Sequence, residues 1–221
     1  MNSDPRKLRF YSEKQLQEIA DDIDRAVTIP VNSMIKVDHR VFDLSEAENI
    51  LSEARKITVQ DCGCRTENGN CDAPEEVCIG LDEAADYTLG QGSLNVREID
   101  IDEALEILRM SHEAGLVHMA YVFKDKDKPG LICSCCNCCC HTLGGLLRYG
   151  IHAEVLSSKL IALDDKAKCI NCGECVSRCV FEARWMEQDK LVHDTSKCMG
   201  CGLCVSSCPT EAICMVERDQ I

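Results

Sequence analysis

The chain has 221 residues, a formal net charge of −14 at pH 7 and an aromatic content of only 4%. This length allows one large domain or two small ones. The acidic balance argues against a nucleic-acid partner, which needs a basic surface, and favours docking on a basic patch of a partner protein. No apolar run approaches the ~20 residues that span a bilayer, and the charged N-terminus carries no apolar signal segment. We therefore expect a cytoplasmic protein with no membrane span.

Cysteine is the outlier of the composition, with 19 residues. In a short secreted chain such a count indicates a disulfide scaffold. Here the cysteines cluster at steps of two and three residues, which is too close for ordinary disulfides between distant loops. The odd count would also leave one thiol unpaired. The pattern therefore favours metal binding over a disulfide framework.

Apolar residues at helical spacing predict two helices in the N-terminal region, one over 12–27 and one from Ser45 to about Ile57. Each begins with a serine that has a Glu or Gln three residues later, which is the pattern of a capping box. The sequence after Ile57 is β-prone. A further helix is expected near Pro74, because proline suits the first turn of a helix.

The sequence pattern in the middle of the chain predicts a helix followed by a hairpin. Asp100 is the expected N-cap of the helix, and Gly115 is its expected end. The β-prone run 117–123, a charged turn and the returning run 131–133 form the hairpin. A winged-helix DNA-binding unit has this order of elements, but no basic recognition face accompanies it here. Another helix is expected from His141 to Gly150.

Ten cysteines lie in the N-terminal region outside any common zinc motif. They are Cys62, Cys64, Cys71, Cys78, Cys133, Cys135, Cys136, Cys138, Cys139 and Cys140. Their order, with C-x-C-R followed later by C-x-C-C-x-C-C-C, resembles a cysteine-rich module of iron–sulfur proteins from anaerobes. The number suffices for two further four-iron clusters with two thiols spare, or for one cluster of higher nuclearity. A disulfide or thiol-exchange site is a third reading. His141 is either a cluster ligand or a packed or solvated residue at a helix start.

The C-terminal region carries a duplicated cysteine motif with the spacing C-x2-C-x2-C-x3-C. The first copy is Cys169, Cys172, Cys175 and Cys179, and the second is Cys198, Cys201, Cys204 and Cys208. Other positions repeat with the cysteines, among them Gly173 with Gly202 and Glu182 with Glu211. The glycines allow a tight loop with close approach of the backbone. Four thiolates in this spacing, given twice, are what two four-iron clusters need, whereas zinc patterns usually pair C-x2-C units across longer gaps.

This duplicated motif resembles the bacterial-type two-cluster ferredoxins over about residues 159–218. The resemblance implies a pseudo-two-fold βαβ pair in which the fourth cysteine of each motif crosses to the other cluster. On this sequence it assigns Cys169, Cys172, Cys175 and Cys208 to one 4Fe-4S cluster, and Cys198, Cys201, Cys204 and Cys179 to the other. The proline that follows the fourth cysteine in the family is present as Pro209, but Val180 replaces it in the first motif. Cys214 lies in the expected last strand, 212–216, and is predicted to be a buried thiol.

Together these patterns predict an α+β protein of two domains. Residues 1–155 would form a mainly helical, cysteine-rich iron–sulfur domain with a small hairpin, and 156–221 a ferredoxin-like dicluster domain. The leading hypothesis is a protein that relays low-potential electrons through several 4Fe-4S clusters to or from a partner oxidoreductase, within an oxidoreductase complex or beside it. The alternative is a reductase that acts on a disulfide or a small sulfur substrate at an N-terminal cluster or thiol site. No side chain is assigned a catalytic role.

Overall fold

The computed structural model describes residues 10–21, 23–29, 34–35, 41–42, 45–124, 126–150 and 155–220. The helices are α1 (Glu13–Asp21), α2 (Ser45–Ser52), α3 (Gly63–Asn68), α4 (Asp82–Gln91), α5 (Ile101–Glu113), α6 (His141–Tyr149), α7 (Glu174–Ser177) and α8 (Leu203–Ser206). The strands of the N-terminal region are β1 (Ile23–Ile29), β2 (Met34–Ile35), β3 (Val41–Phe42), β4 (Ile57–Asp61), β5 (Glu76–Leu81), β6 (Arg97–Glu98), β7 (Val117–Phe123), β8 (Leu131–Cys135) and β9 (Val155–Leu156). Those of the C-terminal region are β10 (Leu160–Asp164), β11 (Arg184–Glu187), β12 (Lys190–His193) and β13 (Ile213–Glu217). Among the described residues, no helix combines the length and the apolar character that crossing a membrane requires.

A seven-stranded sheet organises the N-terminal region, in the order β6-β4-β5-β8-β7-β1-β9. Its strands pair antiparallel, except that β1 and β9 run parallel. The α+β class is confirmed, but the prediction of a mainly helical N-terminal domain is wrong. The predicted hairpin exists as β7 and β8, and it lies in the interior of this sheet instead of forming an exposed wing.

The first predicted helix, 12–27, is divided by the structure into α1 and β1. Its beginning is confirmed, since the backbone N–H of Ser12 donates to Oε1 of Gln15 at 3.0 Å as a capping box requires. Its second half is a strand because β1 pairs with β7 along its length and buries Ala26 and Thr28. Apolar residues four positions apart are compatible with a helix and with an alternating strand, and here the pairing partner decides between them.

The helix expected near Pro74 is also wrong, since this segment leads into strand β5. The run from Val77 to Leu81 is fully buried, and β5 lies between β4 and β8. A continuous apolar run bounded by turns fits a central strand as well as a helix. The following helix, α4, begins only at Asp82.

Several other elements are confirmed. The carboxylate of Asp100 accepts a hydrogen bond from the backbone N–H of Glu103 at 2.9 Å and caps α5. Strand β7 has the predicted bounds, and α6 ends at Gly150, which has the left-handed φ of 64°. Helices α2 and α5 pack on β4 and β5 and form a first core that includes Leu51, Val59 and Leu108.

The C-terminal region repeats one structural unit. Gly173 and Gly202 precede α7 and α8 with φ values of 80° and 76°, and Glu182 and Glu211 both have a φ of 52°. The residues that repeat in the sequence therefore repeat in backbone conformation. Strand β10 pairs with β13, and β11 pairs with β12.

The two regions share a second apolar core. Met119 and Leu143 of the N-terminal region pack in it with Phe181 and Leu203 of the C-terminal region. The backbone carbonyl of Met199 accepts hydrogen bonds from the hydroxyl of Thr28 in β1 and from the backbone N–H of Ser158. The predicted domain boundary between 155 and 156 falls inside β9, the strand that pairs with β1.

Candidate metal centres

The first group of C-terminal cysteines surrounds one cavity. Cys169, Cys172, Cys175 and Cys208, here called the first ligand set, line one small cavity. Three of them come from the loop before α7 and its start, and Cys208 comes from the end of the second motif. Four thiols around one space fit the ligand set of a four-iron cluster. Cys172 is exposed, and Cys175 is buried.

The second group, Cys179, Cys198, Cys201 and Cys204, is here called the second ligand set. Electrostatic interactions connect the thiol of Cys204 with the other three thiols of this set. Cys201 and Cys204 are buried, and burial together with the neighbouring thiols raises the pKa of Cys201 to about 12. A thiol that resists deprotonation without a metal becomes a thiolate ligand when a metal compensates its charge.

A buried arginine faces both ligand sets. The guanidinium of Arg184 is paired with the carboxylate of Asp164 at 2.8 Å and lies 3.9 Å from Sγ of Cys175. It also interacts electrostatically with Cys204. Despite the burial, which by itself lowers its pKa, these neighbours raise the pKa of Arg184. This cation was missed in the sequence, where nothing distinguishes it from the surface arginines.

Six of the N-terminal cysteines form a closed ring. In order around it they are Cys62, Cys64, Cys140, Cys135, Cys133 and Cys78, and each thiol interacts with the two thiols beside it. We call this the six-thiol ring. Strand β5 contributes one member, β8 two, and the ends of α3 and α6 the rest. Hydrogen bonds from Cys64 and Cys78 lower the pKa of Cys62.

The other four N-terminal cysteines, Cys71, Cys136, Cys138 and Cys139, make a tighter cluster that we call the four-thiol group. Their sulfur atoms all lie within 4.8 Å of one another. Sγ of Cys71 is 3.8 Å from Sγ of Cys136, and the sulfurs of Cys138 and Cys139 are also 3.8 Å apart. The run does not form a helix, because β8 continues to Cys135 and a turn follows over 137–139.

Arg65 lies between the six-thiol ring and the four-thiol group. Its side chain is only 1% exposed and donates to the backbone carbonyls of Pro74 and Ser134. The guanidinium interacts electrostatically with ring thiols such as Cys62 and with Cys136 of the four-thiol group. A buried cation there offsets the negative charge that thiolates bring.

His141 contacts the six-thiol ring at its edge. Its Nδ1 atom is 3.1 Å from Sγ of Cys64, and its ring lies edge-on to Tyr11 at a centroid distance of 6.1 Å. Burial lowers the pKa of His141. Within the ring, the hydroxyl of Tyr121 lies 3.6 Å from Sγ of Cys135, a contact that no sequence pattern indicated.

The shared core brings the second ligand set next to the six-thiol ring. Cys135 and Cys140 of the ring are buried in the same apolar core as Cys201 and Phe181. Cys179 packs against this core from the C-terminal side.

Cys214 lies outside all of these groups. It was predicted to be buried, but it is exposed, and its thiol faces the backbone carbonyl of Leu163 at 3.8 Å. The prediction failed because β10 and β13 form a sheet of only two strands, so one side chain in two of β13 points to solvent.

Comparison with known families places a 4Fe-4S binding domain at residues 191–214. This match covers three cysteines of the second ligand set and Cys208 of the first. The C-terminal region therefore contains an iron–sulfur domain of ferredoxin type, which supports electron transfer in general. No curated protein matches the chain.

Proposed function

We propose that this protein transfers electrons through several iron–sulfur clusters. The first and second ligand sets would each hold one 4Fe-4S cluster, with the fourth cysteine of each motif crossing to the other set. The shared cavity of the first set, which includes Cys208 from the second motif, supports this crossed assignment. A four-iron cluster supplies reversible one-electron reduction when it is bound. The protein residues bind the cluster, exclude water and compensate its charge.

The observation that carries the proposal is the burial of Cys201 of the second ligand set in the same apolar core as Cys135 and Cys140 of the six-thiol ring. Six thiols in a closed ring suit a further iron–sulfur cluster, and we propose that the ring holds one. An electron could then move between the ring and the C-terminal clusters without leaving the protein interior. Tyr121 and Arg65 would orient ring thiolates and offset their charge.

The acidic charge of −14 supports a redox partner with a basic docking surface. The only exposed cysteine of the two ligand sets is Cys172, and Ile170 beside it is 63% exposed. We propose that the partner, an oxidoreductase, docks over this surface. The cysteine-rich region 1–155 and the ferredoxin-like region 156–221 would act as one relay.

Anaerobic analysis of iron, acid-labile sulfide and paramagnetic resonance tests this proposal. We expect more than about eight irons per chain and two interacting paramagnetic clusters in the reduced C-terminal region. The Cys208→Ser variant should alter the same resonance as Cys172→Ser, and Cys179→Ser the same one as Cys201→Ser. Cys214→Ser is the control, because its exposed thiol belongs to neither set. Fewer than about eight irons in the intact protein would contradict the proposal. So would a result in which Cys208→Ser alters the same resonance as Cys201→Ser, and Cys179→Ser the same one as Cys172→Ser.

The second candidate is a reductase, and the pair of Cys64 and His141 is the observation in its favour. An imidazole at 3.1 Å from a thiol can exchange a proton with it. Reduction of a disulfide to two thiols consumes two electrons and two protons, and the C-terminal clusters would deliver the electrons one at a time. Turnover of a small disulfide with dithionite as electron donor, lost in His141→Phe and retained in Cys214→Ser, would favour this candidate. An absence of turnover in protein that reduces reversibly would exclude it.

A further inference from the structure

The sulfur distances in the four-thiol group are those of a single metal ion. A tetrahedral ion with metal–sulfur bonds of about 2.3 Å places its sulfurs about 3.8 Å from one another. The pairs Cys71–Cys136 and Cys138–Cys139 both have sulfurs 3.8 Å apart, and all four sulfurs lie within 4.8 Å. A four-iron cluster binds each cysteine to a different iron, so its cysteine sulfurs must be farther apart.

The C-terminal ligand sets provide an internal comparison. Among the residues that the structure describes, the four-thiol group is the only one in which three or more possible metal-ligand atoms of His, Cys, Asp or Glu lie within 4.8 Å of one another. The first ligand set instead encloses a cavity. The same chain therefore spaces the cysteines of its ferredoxin-type region for a larger group and those of the four-thiol group for a smaller one.

The backbone around the four-thiol group holds this arrangement in place. The side-chain amides of Asn68 and Asn70 donate to the carbonyls of Cys139 and Cys138 at 3.1 and 2.9 Å. These bonds fix the turn 137–139 to the end of α3. The turn is also what lets two adjacent cysteines direct their sulfurs to one point, since side chains of consecutive residues in a strand point to opposite faces.

We propose that Cys71, Cys136, Cys138 and Cys139 bind one divalent zinc ion as a tetrahedral four-thiolate site. Zinc is a thiophilic ion without redox chemistry, and closed four-cysteine sites of this kind are structural. The ion would tie the loop at Cys71 to the segment that carries Cys135 and Cys140 of the six-thiol ring. The site thus shapes the neighbouring ring and takes no electron itself.

X-ray absorption at the zinc edge of the intact, anaerobically purified wild-type protein tests this site directly. We expect about one zinc per chain with four sulfur neighbours at about 2.3 Å and no iron neighbour. Protein without stoichiometric zinc, or with zinc bound to nitrogen or oxygen, would overturn the proposal. This measurement needs no variant and does not depend on electron transfer.

Metal analysis of variants separates the four-thiol group from the clusters. The Cys71→Ser/Cys139→Ser double variant should lose the zinc and keep the sulfide and the C-terminal paramagnetic resonances of the wild type. Cys214→Ser should keep both metals. Loss of about four irons together with sulfide would assign a cluster to the group, and loss of one iron without sulfide would assign mononuclear iron; either result overturns the zinc assignment. Unchanged zinc in the double variant would place the ion elsewhere and overturn it as well.

Discussion

Buried arginines are the residues that let this acidic chain collect so many thiols. Arg65 and Arg184 are 1% and 3% exposed, and each faces thiols of two different groups. A buried guanidinium is stable only where negative charge or carbonyl groups surround it. The sequence placed Arg65 beside a cysteine but gave no sign that it is buried, because burial follows from the packing of β8 and the loop at Pro74.

His112, at the last turn of α5, is a second buried polar residue with a measurable consequence. Its Nε2 atom lies 3.0 Å from the hydroxyl of Ser206 in α8, and its ring stacks on that of His118. Burial, and then the charge of Arg178, lowers the pKa of His112 to about 4. The histidine is therefore neutral in the folded protein at neutral pH.

We expect the stability of the protein to fall as the pH drops below the pKa of an ordinary histidine. The unfolded chain binds a proton at His112 near pH 6.5, whereas the folded chain binds it only near pH 4. Because of this histidine, the free energy of unfolding should be about 1 kcal/mol lower at pH 5.5 than at pH 7. Urea unfolding of wild type and His112→Gln at both pH values measures the difference.

Ser206→Ala is the matched control for this experiment. It removes the hydroxyl partner and leaves the buried imidazole, so its pH dependence should stay that of the wild type. A His112→Gln variant that loses stability with acid as steeply as the wild type would show that His112 does not carry the effect.

At the scale of elements, the loop of the second cysteine motif is fitted against strand β10. Gly200 has a φ of 75°, and a Cβ atom there would collide with the backbone carbonyl oxygen of Leu160. Gly69, after α3, also has a positive φ, but a Cβ there would meet nothing within 4 Å. Substitution of Gly69 therefore tests the backbone conformation alone, whereas substitution of Gly200 tests the conformation and the close packing together.

We expect Gly69→Ala to cost roughly 1–2 kcal/mol, the penalty of a left-handed non-glycine residue. Gly200→Ala should cost more and should release the cluster proposed for the second ligand set, since the loop has to move away from β10. Thermal unfolding and the visible absorption of the clusters measure both effects. Equal losses in the two variants would mean that the contact with Leu160 is unimportant.

Elements that depend on residues close in sequence were predictable, and elements that depend on pairing with distant strands were not. The caps of α1 and α5 and the glycine that ends α6 depend on residues close in sequence, and they were found at the expected positions. Strands β1 and β5 depend on β7, β4 and β8, which are distant in sequence. The grouping of ten N-terminal cysteines into six and four follows from that same sheet, so spacing alone could not give it.

At the scale of the whole molecule, Cys201 and Cys179 of the second ligand set belong to the core that joins the two regions. We therefore expect loss of this set to loosen the N-terminal sheet as well. Cys201→Ser should raise hydrogen exchange in β7 and α6 on the order of tenfold, because the shared core would lose the proposed cluster. Cys172→Ser, which removes an exposed ligand of the first set, should leave exchange in β7 unchanged.

Hydrogen exchange followed by mass spectrometry on both variants measures this coupling. Iron content of each variant is the companion measurement, since it verifies that one cluster has been lost in each. Equal exchange in β7 for the two variants would mean that the N-terminal sheet holds its structure independently, as the predicted boundary after residue 155 implies.

The exposure of Cys172 has a consequence for how such a protein would handle charge. The other seven cysteines of the two ligand sets are buried or half-buried, and Cys201 of the second set lies in the core shared with the N-terminal region. Under the proposed function, donor and acceptor would then both exchange electrons at the surface around Cys172. Several clusters behind one such surface would store electrons between the encounter with the donor and the encounter with the acceptor.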